Sequence, residues 1–275
     1  MISVFKLTST LLIATIFITL FSFKPVSNEF QGKAIYIAKS KMDLGNWGAR
    51  MSEAQKKQIK DRLKNRLNKT FVLEFNKEAS VFEEEEKLDA ISGATDTWGK
   101  NFSRGKQYKN VKDNQLVQSQ EFYGKKFLVV DKLEPINWQL GNETKQIGKY
   151  TCFKAVASVP KDNLEWYNFS WNELRQAEAS EGENEEIEMT LIEAWYTPQI
   201  PVSHGPAEYW GLPGLILEVS YGDTVMLCSE LQLNPDEKIE IEAPDKGKKI
   251  TKIDYKETII KKMTEMRNNR GRPRG

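Results

Sequence analysis

Two cysteines, one histidine and an aromatic segment broken by prolines and glycines carry most of the chemistry that this 275-residue chain could offer. Cys152 and Cys228 could form a disulfide, closing a loop of about 75 residues and stabilising the fold by roughly 2–5 kcal/mol. They could equally remain two separate buried thiols that fill core volume. The export signal described below favours the bridge, because disulfides persist in oxidising compartments. His204 would complete a soft three-ligand set only if the fold gathered all three residues. Their spacing has no metal signature, so no metal site is expected. Between Pro201 and Gly205-Pro206, His204 reads first as a polar loop residue.

Nucleophilic and phosphate chemistry lack their patterns. The chain has no Gly-x-Ser-x-Gly elbow, no Cys–His protease signature and no glycine-rich phosphate loop, so no catalytic residue is assigned and no cofactor expected. Glu193 interrupts the apolar series Ile187, Met189, Leu191 and Trp195, expected to face inward, so it should meet a basic partner or a cavity. Trp195, Tyr196, Tyr209 and Trp210 bracket a proline–glycine loop. With Glu193 and His204 they are candidates for ligand or partner binding at one opening of the fold. They are also candidates for large core plugs beneath a structural loop. The interleaved prolines and acidic neighbour argue against a stacking platform for nucleic acid.

The loop ends in Gly211-Leu212-Pro213-Gly214-Leu215-Ile216. Gly211, Pro213 and Gly214 read as a structural turn that delivers Leu215, Leu217 and Val219 into a sheet core. Proline followed by glycine predicts a type II turn with Gly214 at positive φ.

The elements that must position these residues are mostly strands. A helix is expected over 51–69, where Ser52 and Gln55 have capping-box spacing and Ile59, Leu63 and Leu67 make a narrow stripe. Phe71, Leu73 and Phe75 then alternate, and Val81-Phe82 continues as a second strand. Further strands are expected at 116–122, 126–131, 136–140, 149–159, 164–169, 187–195, 215–221, 225–233 and 238–242. Gly141-Asn142-Glu143 reads as a turn. Polar excursions fall at 89–107 and 172–186, and a last helix starts near Thr251 with Ile253, Ile259, Ile260, Met263 and Met266 on its apolar side. The pattern predicts a mainly β protein with helical cover: a curved antiparallel sheet or half-barrel with an N-terminal and a C-terminal helix.

Lys6 followed by the apolar run Leu7 to Phe23 and then a polar flank reads as a signal peptide over 1–27. It predicts export to the periplasm or the outer membrane. A single envelope domain over 28–266 and a disordered basic tail over 267–275 should follow. The 40 basic and 39 acidic residues nearly cancel, which gives no global argument for nucleic acid. The tail could make only weak contact with an anionic surface, since such charges are screened beyond about 8 Å.

The hexamer, Phe75-Asn76-Lys77-Glu78, residues 146–155, the stretch from Trp195-Tyr196-Thr197 to Gly205-Pro206, and residues 224–229 together resemble the GLPGLI family of exported Bacteroidetes proteins. That resemblance implies an exported protein of unsettled activity, with a strand order similar to the half-barrel of periplasmic lipoprotein carriers; it supplies no catalytic residues. The leading expectation is a non-enzymatic envelope binding or accessory protein holding an apolar ligand or a lipoprotein acyl group, or meeting an envelope protein. A secretion-associated partner protein is the alternative. A hydrolase using His204 with Glu193, or a redox protein using the cysteines, ranks below both.

Overall fold

The computed structural model describes residues 29–41, 50–85, 104–167 and 187–270. The signal-peptide segment and the 172–186 excursion lie outside them, as does most of 89–107. The chain divides into two compact units, Met1–Phe30 and Gln31–Gly275, and everything below concerns the second. It is mainly β: the described residues form one open sheet of twelve strands flanked by an N-terminal and a C-terminal helix.

The strands are β1 (Gln31–Ser40), β2 (Asn68–Asn76), β3 (Ala79–Glu84), β4 (Gln107–Asn110), β5 (Gln115–Phe122), β6 (Lys125–Lys132), β7 (Gln139–Ile147), β8 (Tyr150–Pro160), β9 (Met189–Thr197), β10 (Leu215–Tyr221), β11 (Thr224–Leu233) and β12 (Lys248–Ile250). The helices are α1 (Glu53–Leu67), α2 (Lys161–Glu165) and α3 (Lys252–Arg270). The sheet order is β12-β6-β5-β4-β3-β2-β1-β11-β10-β9-β8-β7. Every pairing is antiparallel except that of β12 with β6.

β1 joins the two halves of the sheet, between β2 and β11. It was absent from the pattern of expected strands because its inward residues are small: Ala34 and Ala38 flank Tyr36, and all three are buried. The Tyr36 hydroxyl donates to the Ile216 carbonyl at 2.6 Å, tying β1 to the start of β10. Phe71 and Phe82 stack beside it at 4.9 Å, extending an aromatic floor along the inner face.

Both helix starts follow the sequence signals. The Ser52 amide donates to Gln55 Oε1 at 2.9 Å and the Gln55 amide donates to Ser52 Oγ at 3.3 Å, a reciprocal capping box. Thr251 Oγ1 accepts from the Asp254 amide and donates to its carboxylate. α3 packs Tyr255, Ile259 and Met263 against Phe122, Phe127 and Val129, with Trp166 wedged beside Tyr255. Ile253, expected on that apolar side, is exposed instead. α3 continues to Arg270, into the stretch expected to be disordered.

Several local expectations need correction. The described part of the 164–169 segment, residues 164–167, is not a strand: α2 follows Pro160 and turns Leu164 and Trp166 inward, and residues 168–169 lie outside the described residues. Residues 238–242 form no strand; the Ile239 amide donates instead to the Gln31 side chain at 2.9 Å. Gly141-Asn142-Glu143 lies inside β7, where pairing with β8 slips between Leu140 and Thr144. That bulge and its polar residues blunt an exposed edge strand, and β12 guards the other edge by being three residues long.

The expected phase of β9 is inverted. Ile192, Ala194 and Tyr196 are buried, whereas Ile187, Met189 and Leu191 are 71%, 53% and 69% exposed. Alternation has period two, so one wrong choice of face turned Ile187, Met189 and Leu191 outward, while Trp195 of the same set is still buried, at 8% exposure. The disulfide is also overturned, since Cys152 and Cys228 are both free. They lie on β8 and β11 with β9 and β10 between. Three strand-to-strand steps of about 4.8 Å far exceed the Cα separation of under about 7 Å that a disulfide tolerates. Burial pushes the Cys152 thiol up to about 11 and the Cys228 thiol up to about 12, so both are inert packing groups.

Candidate functional site

The site is built by a segment with no strand or helix, residues 198–214, which crosses the inner face and fills it. Ile200, Val202, Ala207, Tyr209 and Leu212 are all buried. Its path is held by main-chain bonds. The Leu215 amide donates to the Ile200 carbonyl, the Ile216 amide to His204 and the Gly211 amide to Ser203, at 3.0, 3.0 and 3.1 Å.

The hexamer makes a different turn from the type II expected. The Gly214 amide donates to the Leu212 carbonyl at 2.8 Å, a γ-turn centred on Pro213. Positive φ falls on Gly211 at 91° and not on Gly214. Gly214 is needed for another reason: a Cβ there would lie 2.2 Å from the Thr197 carbonyl oxygen. The backbone of the hexamer runs directly against the end of β9.

Lys109 is the fastening point. It projects inward from β4, is fully buried, and donates to the carbonyls of Gly205, Ala207 and Tyr209 at 2.8, 2.6 and 3.1 Å. Burial, with the Arg104 charge acting the same way, pulls its pKa down to about 7, while the Glu208 carboxylate opposes that pull. At the other end Trp138 Nε1 donates to the Trp210 carbonyl at 2.8 Å, and Trp210 Nε1 donates to the Glu134 carbonyl at 2.9 Å. These two indole-to-carbonyl bonds clamp the plug to Glu134 and Trp138.

Glu208, on the plug, anchors a polar network. Its carboxylate pairs with Arg104, and both side chains are at least nine-tenths buried. Gln107 Nε2 donates to Glu208 Oε1 at 2.9 Å and Trp166 Nε1 donates to the same oxygen at 3.3 Å. Arg104 also donates to the Tyr167 hydroxyl at 2.9 Å. Burial alone would lower the Arg104 pKa, but the Glu208 carboxylate together with Tyr167 and Tyr221 raises it overall.

Beside this network lies a cavity of about 30 Å³, lined in part by Gln107, Lys109, Asn163, Glu208, Trp210 and Lys252. That is room for roughly two water molecules. Among the described residues, no group of three or more His, Cys, Asp or Glu side chains could hold a metal ion, and no helix is long and apolar enough to cross a membrane.

The six residues singled out for binding fall into two sets. His204 and Tyr209 are buried in the plug, and Trp210 is half-buried at the cavity. His204 Nε2 lies 3.0 Å from the Asn76 carbonyl, and burial together with the Lys109 charge lowers its pKa to about 3. Nε2 therefore carries the proton, and the ring is neutral. Tyr196 is buried, with its ring 6.2 Å from that of Phe153. Glu193 and Trp195 occupy the opposite face of the sheet. There Lys154 pairs with Glu193 at 3.0 Å, Trp195 Nε1 donates to Glu193 at 2.9 Å, and Lys145 lies 4.3 Å from the Trp195 ring. Burial works against the Glu193 charge, but the bonds from Lys154 and Trp195 hold its pKa below the usual range. The basic partner expected for Glu193 is Lys154, at an exposed face and not in a core. His204 and Glu193 are not brought together, so the acid–base pair weighed for hydrolysis does not form.

Arg104, Gln107, Lys109 and Glu208 were missed. Gln107-Tyr108-Lys109 and Gln118-Ser119-Gln120 have polar residues at spacing two in neighbouring segments. That matched pair of polar alternations was the available signal for two adjoining strands with a polar inner face.

A family described as "Protein of unknown function (Porph_ging)" matches residues 138–218, less than half of the chain. This corrects the resemblance drawn from the hexamer: the family that matches is Porph_ging and not a GLPGLI family. The matched span runs from Trp138 into β10 and so contains the whole plug. No curated protein matches the chain. Two solved structures, "Structure of PNGF-II in C2 space group" and "Structure of PNGF-II in P21 space group", are each similar to it at 15% identity, with TM-scores of 0.47 and 0.46. They cover 84% and 83% of this chain but only 32% and 33% of their own lengths, so the chain spans about a third of the structures it matches. A likeness of that depth transfers no activity, substrate or partner.

Proposed function

We propose that this protein is a non-enzymatic binding or accessory module of the cell envelope, and that it recognises its partner at the cleft beside the plug. The observation that carries this reading is how the inner face is filled. Residues 198–214 occupy the space a carrier would leave for an acyl chain, and the remaining cavity of about 30 Å³ admits only a short projecting group. Docking of a protein or peptide therefore fits better than storage of an apolar ligand.

The charged groups support binding over catalysis. Lys109 is bonded to carbonyls, Glu208 to Arg104 and Gln107, and His204 to Asn76, so none is poised beside a nucleophile. Export to the periplasm or outer membrane rests on the apolar run Leu7 to Phe23.

A photo-crosslinking side chain placed at Asn163, on the cleft rim, tests the proposal, with Gln58 on exposed α1 as the control position. The expected result in envelope material is a discrete adduct from position 163 and none from position 58. Equal adducts from both, or stoichiometric fatty acid extracted from the purified protein, would overturn it.

A further inference from the structure

We infer that the tip of the β5–β6 hairpin, with the neighbouring face of α3, is a contact surface for an anionic lipid membrane; this surface is separate from the cleft and does not rest on it. β5 and β6 are joined by the two-residue loop Tyr123-Gly124. Both residues have positive φ, 46° and 77°. A hairpin loop of this length takes positive φ at both positions, and asparagine or glycine adopts it at least cost. A tyrosine in the first position is strained. The core does not ask for its ring: Phe122 is buried, whereas Tyr123, with its ring 4.7 Å from that of Phe122, is 48% exposed. Strain that holds a large ring out at a loop tip points to use at that place.

Lysines surround the ring. Lys125 and Lys126 follow it at the start of β6, and both are exposed. β12 runs parallel to β6 with exposed Lys248 opposite Phe127, at the same end of the sheet. α3 brings two more. Its Met263 and Met266 pack on the cluster that contains Phe122 and Phe127, and Lys261 and Lys262 belong to that part of the helix. A bond from Lys262 at 2.6 Å, with the charges of Lys261 and Lys125, holds the Glu265 carboxyl below its usual range, so hairpin and helix share one field. Of these cations only Lys262 forms an ion pair among the described residues. Glu121 and Glu265 offset only part of the charge.

An anionic bilayer suits this combination better than an acidic protein. Lysines are drawn to anionic headgroups, and a tyrosine beside them settles at headgroup depth, its carbons in the apolar boundary and its hydroxyl wet. A broad surface also engages cations spread over three elements at once. β6 is 8 residues long, which sets the tip about 25 Å from Leu133 on the cleft wall. A molecule seated by the tip keeps its cleft clear of the membrane.

Fluorescence of an environment-sensitive dye on N268C tests this in the full chain. Asn268 is exposed one turn beyond Glu265, and both native thiols are buried. Vesicles of phosphatidylcholine and phosphatidylglycerol in equal parts should blue-shift the dye, and about 1 M salt should abolish the shift. Phosphatidylcholine vesicles should leave the dye unmoved, which separates tip contact from attachment through Leu7 to Phe23. K125Q/K126Q should raise the vesicle concentration for half the shift by about fivefold per lysine, about 25-fold together. Y123S should raise it severalfold. No shift with the anionic vesicles, a shift with phosphatidylcholine alone, a shift that survives high salt, or a midpoint unchanged in either variant overturns the inference. Soluble poly-glutamate that shifts the dye as far as the vesicles do assigns the surface to an acidic protein and overturns it likewise.

Discussion

Residues 198–214 and α1 invert the usual association of regular structure with burial. The plug has no regular secondary structure, yet its side chains fill the inner face and its backbone is fastened by Lys109, the hexamer and two tryptophans. α1 is a regular helix with a well-formed capping box, yet none of its described side chains is buried. What makes a segment part of the core is the satisfaction of its backbone groups together with burial of apolar area. The plug meets its backbone needs with a lysine and a strand-like exchange of amides. α1 meets them internally, and its described side chains add nothing to the buried core.

The largest expected effect lies at the fastening point. Lys109→Met keeps the apolar stem but leaves the carbonyls of Gly205, Ala207 and Tyr209 without their buried donor. Loss of about 3–5 kcal/mol is expected in denaturant unfolding. A loss under about 1 kcal/mol would show that the plug is held by its apolar residues alone.

Gly214→Val should come next, at about 2–3 kcal/mol, because the new Cβ must displace the Thr197 backbone. Ile59→Ala on α1 is the matching control and should cost under about 1 kcal/mol, its side chain being only half-buried. Thermal melts of the two variants side by side sharpen the contrast between plug and helix, and equal shifts would erase it.

Acid should loosen the plug selectively. The folded-state pKa of His204, about 3, lies below its unfolded value of about 6.5, so between those values the unfolded chain binds more protons. Stability contributed by neutral His204 is therefore present above about pH 6.5 and lost as pH falls toward 3. His204→Gln should flatten that part of the stability–pH curve; an unchanged slope would assign the acid sensitivity to other groups.

The sequence showed the plug's rigidity more clearly than its place. Pro213 and Gly214 announced a constrained path, and the constraint is real, although it comes from a γ-turn and a close backbone approach and not from positive φ at Gly214. Strand alternation located β5, β6, β8, β10 and β11 within one or two residues, because those strands carry large apolar residues on one face. β1 escaped notice because alanines make its inward face, and the face of β9 was misread because both of its alternating sets contain large apolar residues. Lys109 was illegible for a deeper reason: a lysine in a short polar run is ordinarily solvated, and only the carbonyls of a segment about a hundred residues away make its burial tolerable. Long-range pairing also decides the cysteines, whose separation depends on how many strands stand between them.

Hydrogen exchange measured residue by residue tests most directly the claim that the irregular segment is core and the regular helix is not. The amides of Gly211, Leu215 and Ile216, bonded to the carbonyls of Ser203, Ile200 and His204, should exchange as slowly as those of the central strands and far more slowly than the amides of α1. Plug amides that exchange as fast as those of α1, or α1 amides protected as well as the plug, would contradict the account.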